Sequence, residues 1–189
     1  MSKWFIIAGV VGVFAVVLFV MNPDLLKEYA GERIIAWLDK DYEPLGARWQ
    51  TNNSLYAIGS GGFLGTGLGQ SKQKHLYVSE PQNDFIFSIV CEELGFIGAM
   101  VVILLFVMFV FRGFFIATKA KDRFGMLLAT GIVTQIGIQA FLNIAVSCNA
   151  FPNTGISLPF FSYGGTALML QLAEVGVLLN ISRQGRMKK

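Results

Sequence analysis

Four long apolar runs limit what this chain can fold into. They cover residues 4–21, 85–111, 125–147 and 159–181, and about 20 helical residues are enough to cross a hydrocarbon core of about 30 Å. Of the 189 residues, 54% are hydrophobic and only 14% are charged, a balance too apolar for a soluble domain. We therefore predict a single all-α integral membrane domain over residues 1–189, with four transmembrane helices. The first run is expected to be a retained span and not a cleaved leader.

The positions of the basic residues predict how the spans are oriented. Arginine and lysine cluster between the second and third runs and again after the fourth, at Arg112, Lys119, Lys121, Arg123, Arg183, Arg186, Lys188 and Lys189. Short loops rich in these residues stay in the cytoplasm. Loop 112–124, tail 182–189 and both termini are therefore predicted to be cytoplasmic, and loop 22–84 extracellular. We interpret the basic tail as an orientation signal, with no nucleic acid as partner.

The long loop carries two features of its own. After the helix-start signal Asn22-Pro23-Asp24, apolar residues recur every three to four positions up to Leu38. This spacing predicts an amphipathic helix at the outer surface, packed on lipid or on the protein itself. Residues 59–69 then contain six glycines without the ending of a phosphate-binding P-loop. We favour a tight structural loop there, with backbone amides that cradle an anion as the alternative.

Two carboxylates lie where this loop meets the second apolar run. Glu80 and Asp84 are four residues apart, so they share one side of a first helical turn if the helix starts near Pro81. Acidic residues are also common at helix N-termini for electrostatic reasons alone. We identify Asp84 as the candidate catalytic residue, at the outer boundary of the membrane.

Several polar side chains lie inside the apolar runs, where they must be paired, protonated or exposed to a polar cavity. They are Glu92, Glu93, Gln135, Gln139, Asn143 and Glu174. The two glutamines and the asparagine recur at steps of four, which predicts a stripe that joins one helix to its neighbours. The adjacent glutamates cannot share a helix face, so one would serve a cavity and the other an inter-helix bond. Neither cysteine has a metal-ligand neighbour, and we predict no protein-held metal site.

The connection between the third and fourth runs is rich in proline, glycine and hydroxyl residues. Residues 151–166 contain two prolines and three glycines. This composition is typical of a re-entrant turn, which is tolerated only where protein or water satisfies the backbone. We expect this turn, including Ser162, Tyr163, Gly164 and Gly165, to form a second wall beside Asp84.

Taken together, these stretches resemble the SEDS family of cell-wall polymerases, which includes FtsW, RodA and SpoVE. The motifs are most similar to those of the division and sporulation branch. The resemblance rests on Trp-Leu-Asp at 37–39, Ser-Leu-Tyr-Ala-Ile-Gly-Ser-Gly-Gly at 54–62, Gly-Thr-Gly-Leu-Gly at 65–69, residues 80–87, Glu-Glu-Leu-Gly-Phe at 92–96, Pro-Asn-Thr-Gly at 152–155 and Leu-Pro-Phe-Phe-Ser-Tyr-Gly-Gly at 158–165.

The resemblance implies peptidoglycan glycosyltransfer at the outer face of the bacterial cytoplasmic membrane. Lipid II would extend a glycan linked to undecaprenyl pyrophosphate, and Asp84 matches the family's essential aspartate, the general base. Glu80 and residues 162–165 would contact substrate. Charge on the leaving pyrophosphate would be met by Arg48, Lys72 and Lys74, or by a divalent cation, Mg or Mn. The implied protein partner is a class B penicillin-binding protein transpeptidase.

The resemblance covers only the last four of the family's about ten spans. It therefore implies a truncated or split C-terminal half, which would assemble with a separately encoded N-terminal half. A lipid II flippase is the alternative activity, because transport needs a cavity but no positioned base. A non-catalytic remnant or divisome scaffold is the third interpretation.

Overall fold

The computed structural model describes residues 31–38, 48–71 and 84–186, and regular structure in these ranges is entirely helical. The helices are α1 (Glu32–Leu38), α2 (Trp49–Ser60), α3 (Ile86–Thr118), α4 (Arg123–Ser147) and α5 (Gly165–Arg186). The predicted span 4–21 and the start of the predicted amphipathic helix lie outside the described residues. The chain divides into two units, Met1–Arg48 and Trp49–Lys189. In the first, α1 exposes Leu38 and half-buries Ile34 and Ile35.

Three helices in the second unit are long and apolar enough to cross a membrane: α3, α4 and α5 up to Gly185. The prediction of an all-α integral membrane protein is thereby confirmed, and the chain is membrane-embedded. Helix α3 continues to Thr118, well past the predicted end at Phe111. The connection to α4 is correspondingly shorter than the predicted loop 112–124. Asp122 caps α4 there by accepting a hydrogen bond of 3.1 Å from the Gly125 amide.

The last span begins at Gly165, later than the predicted boundary at Pro159. Residues 159–161 form a turn instead, in which the amides of Phe161 and Ser162 both donate to the carbonyl of Leu158, at 3.3 and 3.1 Å. Phe160 has a left-handed φ of 65°, and a bulky residue in that conformation cannot continue a right-handed helix. Helix α5 therefore starts only after the turn is complete.

Two apolar clusters hold the three long helices together. The first joins α3, α4 and the connection before α5 through Phe87, Cys91, Ala99, Val102, Phe106, Ala140 and Leu158. The second joins the other ends of α3, α4 and α5 through Ala117, Ala129, Val133, Leu178 and Ile181. Small alanines at both contacts let the helix backbones approach closely, as is usual between helices in membranes.

Helix α3 is interrupted at Gly95, whose φ of 68° and ψ of −169° are not helical. An interruption of this kind releases carbonyl groups before it and amide groups after it from the helical hydrogen-bond ladder. The affected groups are the carbonyls of Glu92 and Glu93 and the amides of Phe96 and Ile97. In a membrane helix these groups need replacement partners, because hydrocarbon offers none.

The glycine-rich loop, residues 61–69, supplies these partners. The amides of Thr66 and Gly67 donate to the carbonyls of Glu92 and Glu93, at 2.9 and 3.0 Å. In the other direction, the amides of Phe96 and Ile97 donate to the carbonyls of Gly62 and Phe63, at 2.9 and 3.3 Å. Because the Thr66 and Gly67 amides are engaged in this way, they are not available to cradle an anion. The arrangement favours the structural interpretation of the glycine run.

Glycine is required where the two backbones meet. Gly65 has a φ of 79°, and a Cβ atom built on it would overlap the carbonyl group of Glu93. A Cβ atom on Gly95 would in turn overlap the backbone of residues 63–65. Side chains at these two positions would force the loop and the helix apart, so the close contact depends on their absence.

Helix α2 and the glycine-rich loop together form one segment, residues 49–71, which we call the docked segment because it packs back on α3 and α4. Ser54 of α2 donates to the carbonyl of Ser147 at 2.9 Å, and Gly61 reaches the backbone of Cys91 and Glu92. The segment then turns back, and the Ser71 hydroxyl donates to the Glu92 carboxylate. Sequence analysis placed a re-entrant turn only at 151–166, so this segment adds an element inside the long loop.

Replacement of Gly65 by alanine tests the docking of the loop. Gly65→Ala should destabilise the protein by about 1–2 kcal/mol for the left-handed backbone, and by roughly 1–3 kcal/mol more for the overlap with Glu93. Gly69→Ala is the matched control, because Gly69 has a φ of 78° and nothing within 4 Å of a built Cβ. Thermal unfolding in detergent, followed by circular dichroism, compares the two. Equal losses of stability would contradict the docked arrangement.

Candidate functional site

Asp84 lies immediately before α3 and is partly exposed. The next residue, Phe85, is almost completely buried, with 1% of its surface exposed, and packs against Val146 of α4. The Phe85 carbonyl accepts a hydrogen bond of 2.7 Å from the Ser88 hydroxyl in the first turn of α3. The start of α3 is therefore anchored in the protein, while Asp84 beside it stays partly exposed.

The side-chain amide of Asn143 ties Asp84 to the rest of the site. Its nitrogen donates to the backbone carbonyl of Asp84 at 2.8 Å and to that of Ile156 at 2.7 Å. Asn143 is 1% exposed, and its Oδ1 atom is buried with no hydrogen-bond partner among the described residues. One buried amide thus joins α4, the start of α3 and the connection between α4 and α5.

The Pro-Asn-Thr-Gly stretch of that connection forms the wall next to Asp84. A Cβ atom built on Gly155 would lie 3.6 Å from Oδ2 of Asp84. The Gly155 amide donates to Oδ1 of Asn153 at 3.1 Å, and Nδ2 of Asn153 donates to Oε1 of Gln50 at 3.3 Å. The first part of the predicted re-entrant turn is therefore brought to Asp84, and Gln50 of α2 meets it from the other side.

The later part of the same connection is held by its own hydrogen bonds. The Ser162 hydroxyl accepts from the amide of Leu158 at 2.7 Å, and Tyr163 is 79% exposed. The Gly164 carbonyl accepts from the amide of Leu168 at 2.9 Å, and Gly165 begins α5. The Ser162 oxygen is therefore engaged in the turn. Substrate contacts by Ser162, Tyr163, Gly164 and Gly165 stay a prediction.

The three amides of the α4 stripe each contact a different part of the protein. Gln135 donates to Oε1 of Glu174 on α5 at 3.3 Å, and Gln139 donates to the backbone and hydroxyl oxygens of Ser157 at 3.1 and 3.3 Å. Asn143 reaches Asp84, as described above. The stripe thus connects α4 to α5, to the connection between them and to the candidate site. Oε2 of Glu174 is buried without a hydrogen-bond partner among the described residues.

The adjacent acids Glu92 and Glu93 have different surroundings. Glu92 is 2% exposed and accepts the hydrogen bond from Ser71 of the docked segment. Glu93 is partly exposed, and its Oε1 atom is buried with no hydrogen-bond partner in the described ranges. Neighbouring residues of a helix point in different directions, so the first acid fixes the loop while the second faces elsewhere.

The predicted pyrophosphate-binding residues and Glu80 lie mostly outside the described part of the chain. Arg48 is buried and belongs to the N-terminal unit, while Lys72, Lys74 and Glu80 lie outside the described residues. In the ranges that are described, no group of three His, Cys, Asp or Glu residues could hold a metal ion. The roles of these four residues therefore stay predictions.

Sequence reasoning missed the contribution of α2. Gln50, Asn53, Ser54 and Ala57 lie at helical spacing, and the last three are buried. Residues three and four apart share a helix face, so the pattern predicts one face of α2 in contact with other helices. This spacing, read from the sequence, could have predicted that residues 49–60 form a helix with one face in the protein interior.

Comparison with known proteins agrees with this arrangement of motifs. The sequence model of the FtsW, RodA and SpoVE family, described as a cell cycle protein, matches residues 1–187. The chain belongs to this family. The resemblance found in the sequence is thus confirmed.

Two relatives illustrate the match of this FtsW/RodA/SpoVE chain. It is 47% identical to stage V sporulation protein E of Bacillus subtilis over 182 residues, which is 96% of the chain and 49% of the relative. It is also 47% identical over 164 residues to a protein named probable peptidoglycan glycosyltransferase FtsW of Trichlorobacter lovleyi, covering 87% of the chain and 43% of the relative. The chain thus spans about half the length of these relatives.

A solved structure shares the fold of this family chain. The TM-score is 0.68 at 28% sequence identity, and the match covers 93% of this chain and 48% of the other. That structure is described as showing the structural coordination of polymerization and crosslinking by a peptidoglycan synthase complex.

Replacement of Asn143 tests its role as the link at Asp84. Asn143→Asp keeps the shape of the side chain but removes the donor, so the carbonyls of Asp84 and Ile156 lose their partner. Because each buried unsatisfied group costs about 1–3 kcal/mol, we expect a loss of roughly 2–5 kcal/mol in unfolding free energy. Chemical denaturation in detergent micelles measures it.

The matched control is Asn180→Asp on the exposed surface of α5. Oδ1 of Asn180 accepts a hydrogen bond from Gln184, which an aspartate can also accept. The control changes the net charge equally and should alter the unfolding free energy by less than about 0.5 kcal/mol. Equal losses of unfolding free energy in both variants would show that the hydrogen bonds of Asn143 do not stabilise the protein.

Proposed function

We propose that this chain is the Asp84-bearing part of a peptidoglycan glycosyltransferase, a lipid II polymerase of cell division or sporulation. The observation that carries the proposal is the placement of Asp84, a partly exposed carboxylate at the end of a membrane-length helix, with Gly155 beside it. The name of the Trichlorobacter lovleyi relative, a probable peptidoglycan glycosyltransferase, supports the same reaction.

In this proposal Asp84 acts as the general base. Its carboxylate takes the proton of the 4-hydroxyl group of the acceptor sugar, and the freed oxygen attacks the anomeric carbon of the donor. A new glycosidic bond forms while the bond between that carbon and the lipid pyrophosphate breaks, and the pyrophosphate leaves with the electron pair. Asn143 and Gly155 assist by placement: the amide fixes the main chain, and the glycine leaves room beside Oδ2.

The leaving pyrophosphate needs compensating positive charge. Arg48, Lys72 and Lys74 are the proposed sources within this chain. A Mg or Mn ion is the alternative and would neutralise charge on the phosphate oxygens. Such ions often bind through one or two carboxylates together with substrate phosphates, and Asp84 carries a carboxylate at the site.

The reaction is proposed to take place at the outer face of the bacterial cytoplasmic membrane. The basic residues between α3 and α4 and after α5 support this orientation, because they favour the cytoplasmic side for those ends and for both termini. The substrates would be lipid II and a glycan linked to undecaprenyl pyrophosphate.

We propose two protein partners. A class B penicillin-binding protein transpeptidase is supported by the solved relative, whose description joins polymerization to crosslinking. The second is the rest of the family fold, on the same chain or on a separate one, since this sequence spans 49% and 43% of the two relatives.

Replacement of Asp84 by asparagine tests the proposed base. The chain would be produced together with the half of the Bacillus subtilis relative that it does not span, and supplied with fluorescent lipid II. Asp84→Asn keeps the shape but cannot accept the proton at neutral pH, so the rate of glycan formation on gels should fall by about 10²-fold or more.

Asp122→Asn is the matched control. Asp122 caps α4 at the opposite end of α3, and asparagine is an equally good cap, so this variant should keep its rate within about twofold. Glycan formation at an unchanged rate by Asp84→Asn would rule out the general base. If lipid II were transported but no form of the protein, substituted or not, made glycan, the flippase would be favoured. Absence of glycan even from the unsubstituted pair would favour a scaffold.

A further inference from the structure

The glycine-rich loop carries three exposed apolar side chains, which together are called the tip. Phe63, Leu64 and Leu68 are 76%, 80% and 76% exposed. In water, three neighbouring apolar side chains would form an unfavourable patch, and such patches usually mark a contact with lipid or another molecule. The glycosyltransferase proposal assigns no role to these side chains.

The tip has a fixed position along α3. The Phe63 carbonyl accepts a hydrogen bond from the amide of Ile97, and the ring of Phe63 packs edge-on against the ring of Phe96, with centroids 6.1 Å apart. Phe63 therefore lies at the level of Phe96 and Ile97, and Leu68, which follows Gly67, lies nearer the level of Glu93.

The sequence of α3 shows where that height lies. The uninterrupted apolar stretch of the helix runs from Leu94, just after Glu92 and Glu93, to Phe111, just before Arg112. At 1.5 Å per residue it is roughly 27 Å long, close to the hydrocarbon thickness of about 30 Å. Phe96 and Ile97 thus lie just inside one edge of the hydrocarbon core, on the side of Asp84.

The surface next to the tip has the same apolar character. Phe96, Ile97 and Val101 are 58%, 53% and 54% exposed on α3. The tip continues this exposed apolar surface of a membrane-length helix. Part of the loop backbone is already satisfied without water, because the Phe63 carbonyl and the amides of Thr66 and Gly67 are paired with α3.

We propose that Phe63, Leu64 and Leu68 insert among the lipid acyl chains of the leaflet on the Asp84 side. The docked segment is then anchored both to α3 and to the bilayer. Asp84 precedes Leu94 by ten residues, so it lies on the aqueous side of this anchor. This lipid anchor is independent of the reaction proposed for Asp84.

Spin labelling of the chain, produced together with the half of the Bacillus subtilis relative that it does not span, tests the anchor. Cys91→Ala and Cys148→Ser remove the native thiols, and Leu64→Cys then carries a nitroxide label in vesicles of phosphatidylethanolamine and phosphatidylglycerol. Power saturation compares collisions with oxygen, which concentrates in lipid, and with a water-soluble nickel chelate. A lipid-inserted label should collide with oxygen several-fold more than with nickel.

Two labelled positions calibrate the measurement. Leu104→Cys reports the lipid-facing surface of α3, since Leu104 is 54% exposed, and Lys121→Cys reports the exposed connection between α3 and α4. Leu68→Cys repeats the test at a second position of the tip. A tip label that matches Leu104 supports the proposal. Nickel accessibility like that at Lys121 would place the tip in water, and shielding from both reagents would place it under protein; either result overturns the proposal.

Discussion

The exchange of backbone hydrogen bonds between the glycine-rich loop and α3 is the interaction on which the rest of the structure depends. A helix within a membrane cannot be interrupted unless its released groups find partners, and a loop cannot enter unless its own groups are satisfied. The interruption at Gly95 and the loop solve both problems together. Helix α2 is held alongside α3 as a result, and Gln50 is placed where it meets Asn153.

At the candidate site, the position of Asp84 and the chemistry of Asp84 depend on different atoms. Asn143 holds the backbone carbonyl, whereas a proton would be transferred at the side chain. The main chain of Asp84 is thus held independently of its side-chain oxygens. The α4 stripe holds three parts of the protein at once. Its three side-chain amides, each one turn apart, bond to α5, to the connection before it and to the start of α3.

The sequence predicted best those features that depend on the type and spacing of side chains. Apolar length identified α3, α4 and most of α5, and spacing by four identified the stripe of Gln135, Gln139 and Asn143. The docking of the glycine-rich loop could not be predicted, because it joins backbone groups about thirty residues apart and backbone groups are alike at every position. The turn at Pro159 likewise depends on the unusual φ of Phe160, which hydropathy does not report. The neighbours of Asp84 were found only in part, since α2 was assigned to an outer loop.

The interruption at Gly95 also has a mechanical consequence. A continuous helix transmits bending stiffness along its whole length, but here the short helical stretch before Gly95 is joined to the rest of α3 through a residue without helical geometry. The glycine-rich loop bridges this interruption, because it forms hydrogen bonds with α3 on both sides of Gly95. The orientation of the stretch that follows Asp84 is therefore set by the loop at one end and by the contacts of Phe85 and Asn143 at the other.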